Sequence, residues 1–247
     1  MPRLDMHVVW SHVRTFARNI THRNVVAIYS RPGLQSVDVT SHPLVVALVN
    51  GKGGTGKTTV AMGLAATAAQ VYQVLLVDTD RQLSAYRLHT AMREQPYRCV
   101  PERRPQFLAQ LRDIPGFDMI LLDTAGNLES DDILDPVLRA ADLTVIPSSM
   151  SAMTAEPTMD TIRFVQARGR PFMVLLSAMT GTVAERQARD LFARLEIPVC
   201  AARVRRLVAH EQAVAEGVPI TMMPGEYAGR AKVDLLEVFL ELQAVSR

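Results

Sequence analysis

Apolar residues along this chain follow two rhythms that alternate. Continuous apolar runs at Leu44 to Val49, Gln73 to Asp80, Asp118 to Asp123, Leu143 to Pro147, Phe172 to Ser177 and Ile197 to Ala201 have the composition of strands buried on both faces. Between them, Val60 to Ala69, Asp131 to Ala141, Thr154 to Ala167 and Thr182 to Leu195 have a helical character. In the last of these, Val183, Ala188, Leu191, Phe192 and Leu195 are expected on the buried side. The alternation predicts an α/β protein: a mostly parallel, twisted sheet with helices on both faces, taking its ligand at the carboxyl ends of the strands. The first 43 residues stand apart. Met6, Val9, Trp10, Val13, Phe16 and Ile20 recur at helical spacing, so residues 1–43 form an N-terminal extension with one amphipathic helix, and residues 44–247 form the principal domain. Packing of that helix on the domain is the simpler expectation; a partner-binding or membrane-surface helix is the alternative.

Chemistry enters at the turn after the first strand. Residues 52 to 59 spell Lys-Gly-Gly-Thr-Gly-Lys-Thr-Thr. In a phosphate-binding loop, glycines let backbone N–H groups converge on phosphate oxygens, a lysine reaches the outer phosphates and a hydroxyl faces Mg²⁺. Gly51, Gly53, Gly54 and Gly56 fill the first role, Lys57 the second and Thr58 the third, with Thr55 in the same nucleotide-binding loop and Thr59 a further donor. The helix that follows points its positive dipole end at the anion. Lys52 is an addition to that pattern. The chain has three lysines, Lys52, Lys57 and Lys232, and two of them share this loop, in a chain that otherwise uses arginine for positive charge. Such a bias suits positions that need a compact point charge.

Two further strands end in acids. Val-Asp-Thr-Asp closes with Asp78 and Asp80, and Asp123 is followed by Thr124, Ala125 and Gly126 in the manner of a Walker B strand, with its carboxylate expected to hold Mg²⁺ through water. Paired acids at a strand end also serve as turn caps.

These pieces, in this order, resemble the ParA/MinD group of P-loop ATPases with a deviant Walker A loop. The stretch from Cys200 to Ile220 is similar to the C-terminal signature of plasmid-partition ATPases, with the small ParF-like proteins nearest in pattern. The resemblance runs from about Leu44 to near the C-terminus. It implies ATP and Mg²⁺ as ligands, Lys52 reaching across a homodimer to the partner's nucleotide, Asp80 orienting the attacking water, Asp78 helping to organise the metal site, and Gly126 sensing the terminal phosphate. It further implies ATP-bound dimers that bind DNA without sequence preference, and a ParB-like or other cargo-linked protein that stimulates hydrolysis. This is the chemistry of plasmid or chromosome partition or of cargo positioning, in a cytoplasmic, nucleoid-associated protein. Two departures from the family pattern are Arg81, where proline is usual after the paired acids, and Ala125, where proline is usual after Asp-Thr.

Composition narrows the partners. The formal net charge is only +2, so affinity for DNA has to come from clustering. Arg203, Arg205, Arg206, Arg230 and Lys232 are the candidates; solvated helix faces, or pairing with Glu211 and Glu226, are the competing explanation. The acidic residues Asp234, Glu237 and Glu241 around the last apolar stretch disfavour a MinD-like tail on an anionic membrane, and no stable membrane association is expected. Cys99 and Cys200 do not supply the ligand set of an iron–sulfur relative. A tyrosine-kinase relative would have a tyrosine-rich tail, whereas the last tyrosine is Tyr227. A scaffold that binds nucleotide to dimerise, with negligible turnover, is the other alternative.

Overall fold

The computed structural model describes residues 42–128, 131–149, 155–179 and 181–245. The amphipathic helix expected between Met6 and Ile20 lies outside them.

Seven strands form one all-parallel sheet: β1 (Leu44–Leu48), β2 (Val74–Asp78), β3 (Arg98–Pro101), β4 (Met119–Asp123), β5 (Leu143–Ser148), β6 (Phe172–Met179) and β7 (Val199–Arg205), in the order β3-β2-β4-β1-β5-β6-β7. The connecting helices are α1 (Lys57–Ala68), α2 (Ser84–Ala91), α3 (Pro105–Leu108), α4 (Asp131–Ala140), α5 (Ala155–Gln166), α6 (Thr182–Arg194), α7 (Val208–Glu216) and α8 (Glu226–Val245). Strand alternation divides the core in two. Val45, Ala47 and Val49 pack into one cluster with Leu134, Val137 and Leu138 of α4, Ile162 and Val165 of α5, and Phe192 of α6. Val46 and Leu48 are equally buried and point the other way, to the face covered by α1 and α8. There α1 and α8 approach closely, because a Cβ on Gly63 would stand 2.7 Å from Leu235 Cδ1. The alanine-rich sequence of α1 suits such contact.

Register sets the height at which the loops leave the sheet. Leu48 and Asp78 both sit alongside Asp123 of β4, so the ends of β1, β2 and β4 lie level. The chain order also reverses here, with β4 inserted between β1 and β2 and β5 on the other side of β1. That is the switch point at which open α/β sheets take their ligands.

Three expectations need correction. A strand not anticipated, Arg98–Pro101, forms the β3 edge; it has four residues, and only Cys99 among them is buried. The last strand runs from Val199 to Arg205 rather than from Ile197 to Ala201, which places Arg203 and Arg205 within it. On α6, Ala188 and Phe192 are buried as expected, but Val183, Leu191 and Leu195 are 58%, 38% and 48% exposed. Glu185 takes the inner position instead, because Arg189 and Arg203 both donate to its carboxylate there.

Candidate functional site

The loop between β1 and α1 gets its shape from two glycines. Gly54 and Gly56 have φ of +77° and +88°, in the left-handed region that side chains disfavour. Gly56 caps α1 without a side-chain hydrogen bond, and the first turn has no acidic residue. The unpaired N–H groups and the positive end of the helix therefore stay open to an anion.

Hydroxyls and an amide from distant elements brace this loop. Asn50 Nδ2 donates to the Pro147 carbonyl (2.8 Å) and to Thr158 Oγ1 (3.3 Å), while its Oδ1 accepts the Lys52 N–H (2.9 Å). The Gly51 N–H donates to Thr161 Oγ1 (2.9 Å), and Ser177 Oγ donates to the Thr55 carbonyl (2.7 Å). Sequence reasoning did not find Asn50, Thr158, Thr161 or Ser177. The i, i+3 spacing of the two threonines on one face of α5 was the available signal.

Lys57 is 7% exposed, and its Nζ donates to the Asn50 and Lys52 carbonyls, each at 3.1 Å. Burial lowers its pKa, against the opposing pull of Asp123 and Asp80. Held by carbonyls rather than a carboxylate, the ammonium keeps its charge for an anion. Thr58 Oγ1 donates to Asp123 Oδ2 at 2.7 Å. The other oxygen, Asp123 Oδ1, is buried without a hydrogen-bond partner among the described residues. Burial pushes the Asp123 carboxyl up to about 7; the Thr58 bond and Lys57 oppose the rise, and Asp78 and Asp80 add to it.

Asp78 is fully buried. Its Oδ1 accepts the Asp80 N–H (3.0 Å) and its Oδ2 the Tyr86 N–H (2.9 Å), so it shapes the turn that presents Asp80 and steadies the start of α2. Asp80 lines the cleft and accepts the Gln82 N–H at 3.0 Å. Both carboxylates thus act as turn caps, and Asp80 also faces the site. Gly126 closes the arrangement: a Cβ there would stand 2.9 Å from Gly53 N and 3.0 Å from Gly53 Cα, so glycine lets the segment after β4 rest on the phosphate-loop backbone.

Together these loops line a cleft of about 710 Å³, within the roughly 300–1,000 Å³ common for small-molecule sites. Gly53, Gly54, Gly56, Lys57, Thr58 and Thr59 line it, with Asp80 and Gly126 opposite, whereas Thr55 is buried behind and Lys52 stands outside the lining. Two cations not expected as part of the site join it: Arg81, noted above only as a departure from the family pattern, and Arg103. The donor set suits Mg²⁺: a hydroxyl and a carboxylate with one orphaned oxygen, the rest of the shell being left to water and phosphate. Among the described residues no cluster of three His, Cys, Asp or Glu could hold a metal by side chains alone.

The basic residues near the C-terminus are mostly engaged. Arg203 donates to Glu185; Arg205 Nη2 donates to Asp234 Oδ1 (2.6 Å); Arg230 Nη2 donates to Glu226 Oε1 (2.6 Å); and Lys232 Nζ donates to the Met223 carbonyl (2.6 Å). Arg206 is exposed. The described residues include no helix long and apolar enough to cross a membrane.

Comparison with known proteins agrees with this geometry. A family model described as the CobQ/CobB/MinD/ParA nucleotide binding domain matches residues 46–220. The chain is 36% identical over 209 residues to the maintenance of carboxysome distribution protein A of Gloeobacter kilaueensis, covering 82% of this chain and 95% of that protein. Among solved structures, a Cyanothece McdA variant in complex with ATP superposes with a TM-score of 0.62 at 14% identity, over 83% of this chain and 96% of that one. The Pyrococcus horikoshii septum site-determining protein MinD with Mg-ADP gives a TM-score of 0.62 at 18% identity, over 83% and 99%.

Proposed function

Because the chain belongs to the CobQ/CobB/MinD/ParA family of nucleotide-binding ATPases, we propose that it is a ParA-like positioning motor. Two ATP-bound copies pair, the pair binds DNA without sequence preference, and a cargo-linked partner triggers hydrolysis and release. The observation behind this reading is the cleft itself. Lys57 offers an ammonium held only by carbonyls, Thr58 and Asp123 form an oxygen pair with one oxygen unclaimed, and Lys52 sits beside the cleft but outside its lining.

In this scheme the N–H groups of Gly53 to Gly56 and the start of α1 hold the phosphates, and Lys57 neutralises the outer ones. Thr58 and Asp123 hold Mg²⁺, which supplies charge neutralisation at the phosphates when bound. Asp80 accepts a hydrogen bond from the attacking water. Asp78 contributes by fixing the turn beneath Asp80. Lys52 serves the neighbouring copy's nucleotide, as a cation supplied in trans.

Pairing doubles a modest basic surface and makes weak phosphate contacts effective together. Within the candidate set, Arg206 supports direct contact best because it is exposed, while Arg203, Arg205, Arg230 and Lys232 contribute through a surface whose charges are partly neutralised. The name of the Gloeobacter relative, which speaks of carboxysome distribution, favours cargo positioning over plasmid partition. A cytoplasmic, nucleoid-associated location follows from the same scheme. Sedimentation of the full chain with ATP, ADP or no nucleotide tests it: pairing is expected with ATP alone, and a single-subunit species in ATP would refute the motor. The scaffold alternative draws on Arg81, a charged residue at the cleft where the family carries proline. Turnover at background in the presence of DNA and of the partner would favour it.

A further inference from the structure

The loop after β3 carries two adjacent arginines in opposite states. Glu102 Oε1 accepts the Arg104 Nε (2.9 Å) and the backbone N–H groups of Arg103 (2.9 Å) and Arg104 (2.8 Å), and its Oε2 accepts Arg104 Nη2 (2.6 Å). The Arg104 guanidinium also lies over the Phe107 ring, 4.0 Å from its centroid. The Glu102 carboxylate is thereby used up, and Arg104 is the arginine it neutralises. Among the described residues no carboxylate pairs with Arg103. It lines the nucleotide cleft, and its Nε is buried with no hydrogen-bond partner. An unpaired donor buried on a charged group is costly, and that cost is removed when an acceptor arrives.

Topology says where that acceptor lies. Along the row of loops at the strand ends, β1 gives the phosphate loop, β4 gives Asp123, β2 gives Asp80 and β3 gives Arg103, in spatial sequence. The Glu102 N–H donates to the Asp78 carbonyl at 3.0 Å, which ties the Arg103 loop to the turn that bears Asp80. A phosphate chain anchored at the loop and directed across the Thr58–Asp123 pair would end on the β2–β3 side. On the reading that this cleft holds ATP, we infer that Arg103 is a contact for the terminal phosphate, a second cation in cis that makes the site prefer the triphosphate to the diphosphate. The guanidinium offers a planar fork to phosphate oxygens, with the buried Nε as one of its donors.

The test uses the full chain and fluorescent derivatives of ATPγS and ADP, titrated into wild type, Arg103→Gln, Arg103→Lys and Arg194→Gln. Arg194 is an exposed residue at the far end of α6, so its loss changes net charge equally without touching the cleft. Arg103→Gln is expected to lose about 10-fold in affinity for the ATPγS derivative, with ADP affinity kept within about twofold. Arg103→Lys should fall between wild type and Gln, and Arg194→Gln should match wild type. Equal weakening for both nucleotides, or no change for either, overturns the inference. So does a variant that keeps its ATPγS preference but no longer pairs, since that would move Arg103 to the subunit interface. Should Arg103→Gln fail to fold, the Arg103→Lys comparison decides by the same criteria. A wild-type protein that binds neither nucleotide would instead defeat the reading of the cleft on which this inference rests.

Discussion

Around β7, buried acids are fully satisfied: Glu185 accepts from Arg189 and Arg203, Asp234 accepts the side chain and the backbone N–H of Arg205, and Glu241 accepts the N–H groups of Ala201 and Ala202. At the ends of β1, β4 and β3, in the same sheet, Asp123 keeps an oxygen with no partner among the described residues, Lys57 is held by two carbonyls, and Arg103 has a buried Nε with no acceptor among them. The two regions have similar residue types and similar burial. Only the bonding differs. Closed networks give stability and fix the last strands against α6 and α8, whereas open valences cost stability and, where they gather at the cleft, are available to an external ligand. The comparison also revises the reading of the arginines near the C-terminus, where most of the charge is spent inside the fold.

Substitutions can break this contrast, and the largest effect belongs to the two loop lysines. Lys57→Ala is expected to lose nucleotide affinity and turnover together. Lys52→Ala should keep nucleotide binding while hydrolysis falls by roughly 10³-fold, the scale of a cation supplied in trans. A steady-state assay alongside a binding titration separates them, and wild-type turnover in Lys52→Ala would end the trans role. At the closed end, Asp234→Ala should destabilise the fold by about 2–4 kcal/mol, because it strands the Arg205 guanidinium and a backbone N–H. Urea unfolding would show it, and nucleotide affinity should stay unchanged. Loss of affinity at equal foldedness would mean the two regions are not separable.

A smaller effect concerns pH. The Asp123 carboxyl is raised to about 7, against roughly 4 for an aspartate in the unfolded chain. Between those values the folded chain holds a proton that the unfolded chain has released, so this group's contribution to stability falls as pH rises through that window. In chelator, without nucleotide, Asp123→Asn should therefore raise the melting temperature more at pH 8 than at pH 5.5, by about 2–4 °C. Equal gains at both pH values would place the strain elsewhere. The smallest effect is at the surface. Arg206→Ala should weaken ATP-dependent DNA retention a few-fold and lower the salt slope by about 1. A larger loss from Arg205→Ala at equal stability would show that the Asp234 pair opens on DNA.

Six of the seven strands were legible as apolar runs, β7 with shifted bounds; the other five are buried on both faces, and the motifs at their ends follow from that placement. β3 was not, since an edge strand reading Arg-Cys-Val-Pro buries one side chain and carries no run. The misjudged flank of α6 has a similar cause: Glu185 occupies an inner position that hydrophobic patterning assigns to an apolar residue, and the two arginines that make this possible lie four and eighteen residues away. Lys57, Thr58, Asp80 and Asp123 were legible because each belongs to a short motif at the end of an apolar run, even though Thr58 and Asp123 are 65 residues apart. Asn50, Thr158, Thr161 and Ser177 were not, because their bonds to the loop span separations of about 100 residues. Arg103 was hidden in a tract with four other arginines between Arg93 and Arg112, and only its neighbour's pairing sets it apart.

The contact between Gly126 and Gly53 has a mechanical corollary. With backbone resting directly on backbone, and no compressible side chain between them, the segment that follows β4 cannot advance without displacing the peptide adjoining Lys52. On the proposed pairing of two copies, a push on one strap would be felt by the other, so the state of the phosphate chain inside one subunit would reach Lys52 through a linkage a single residue thick.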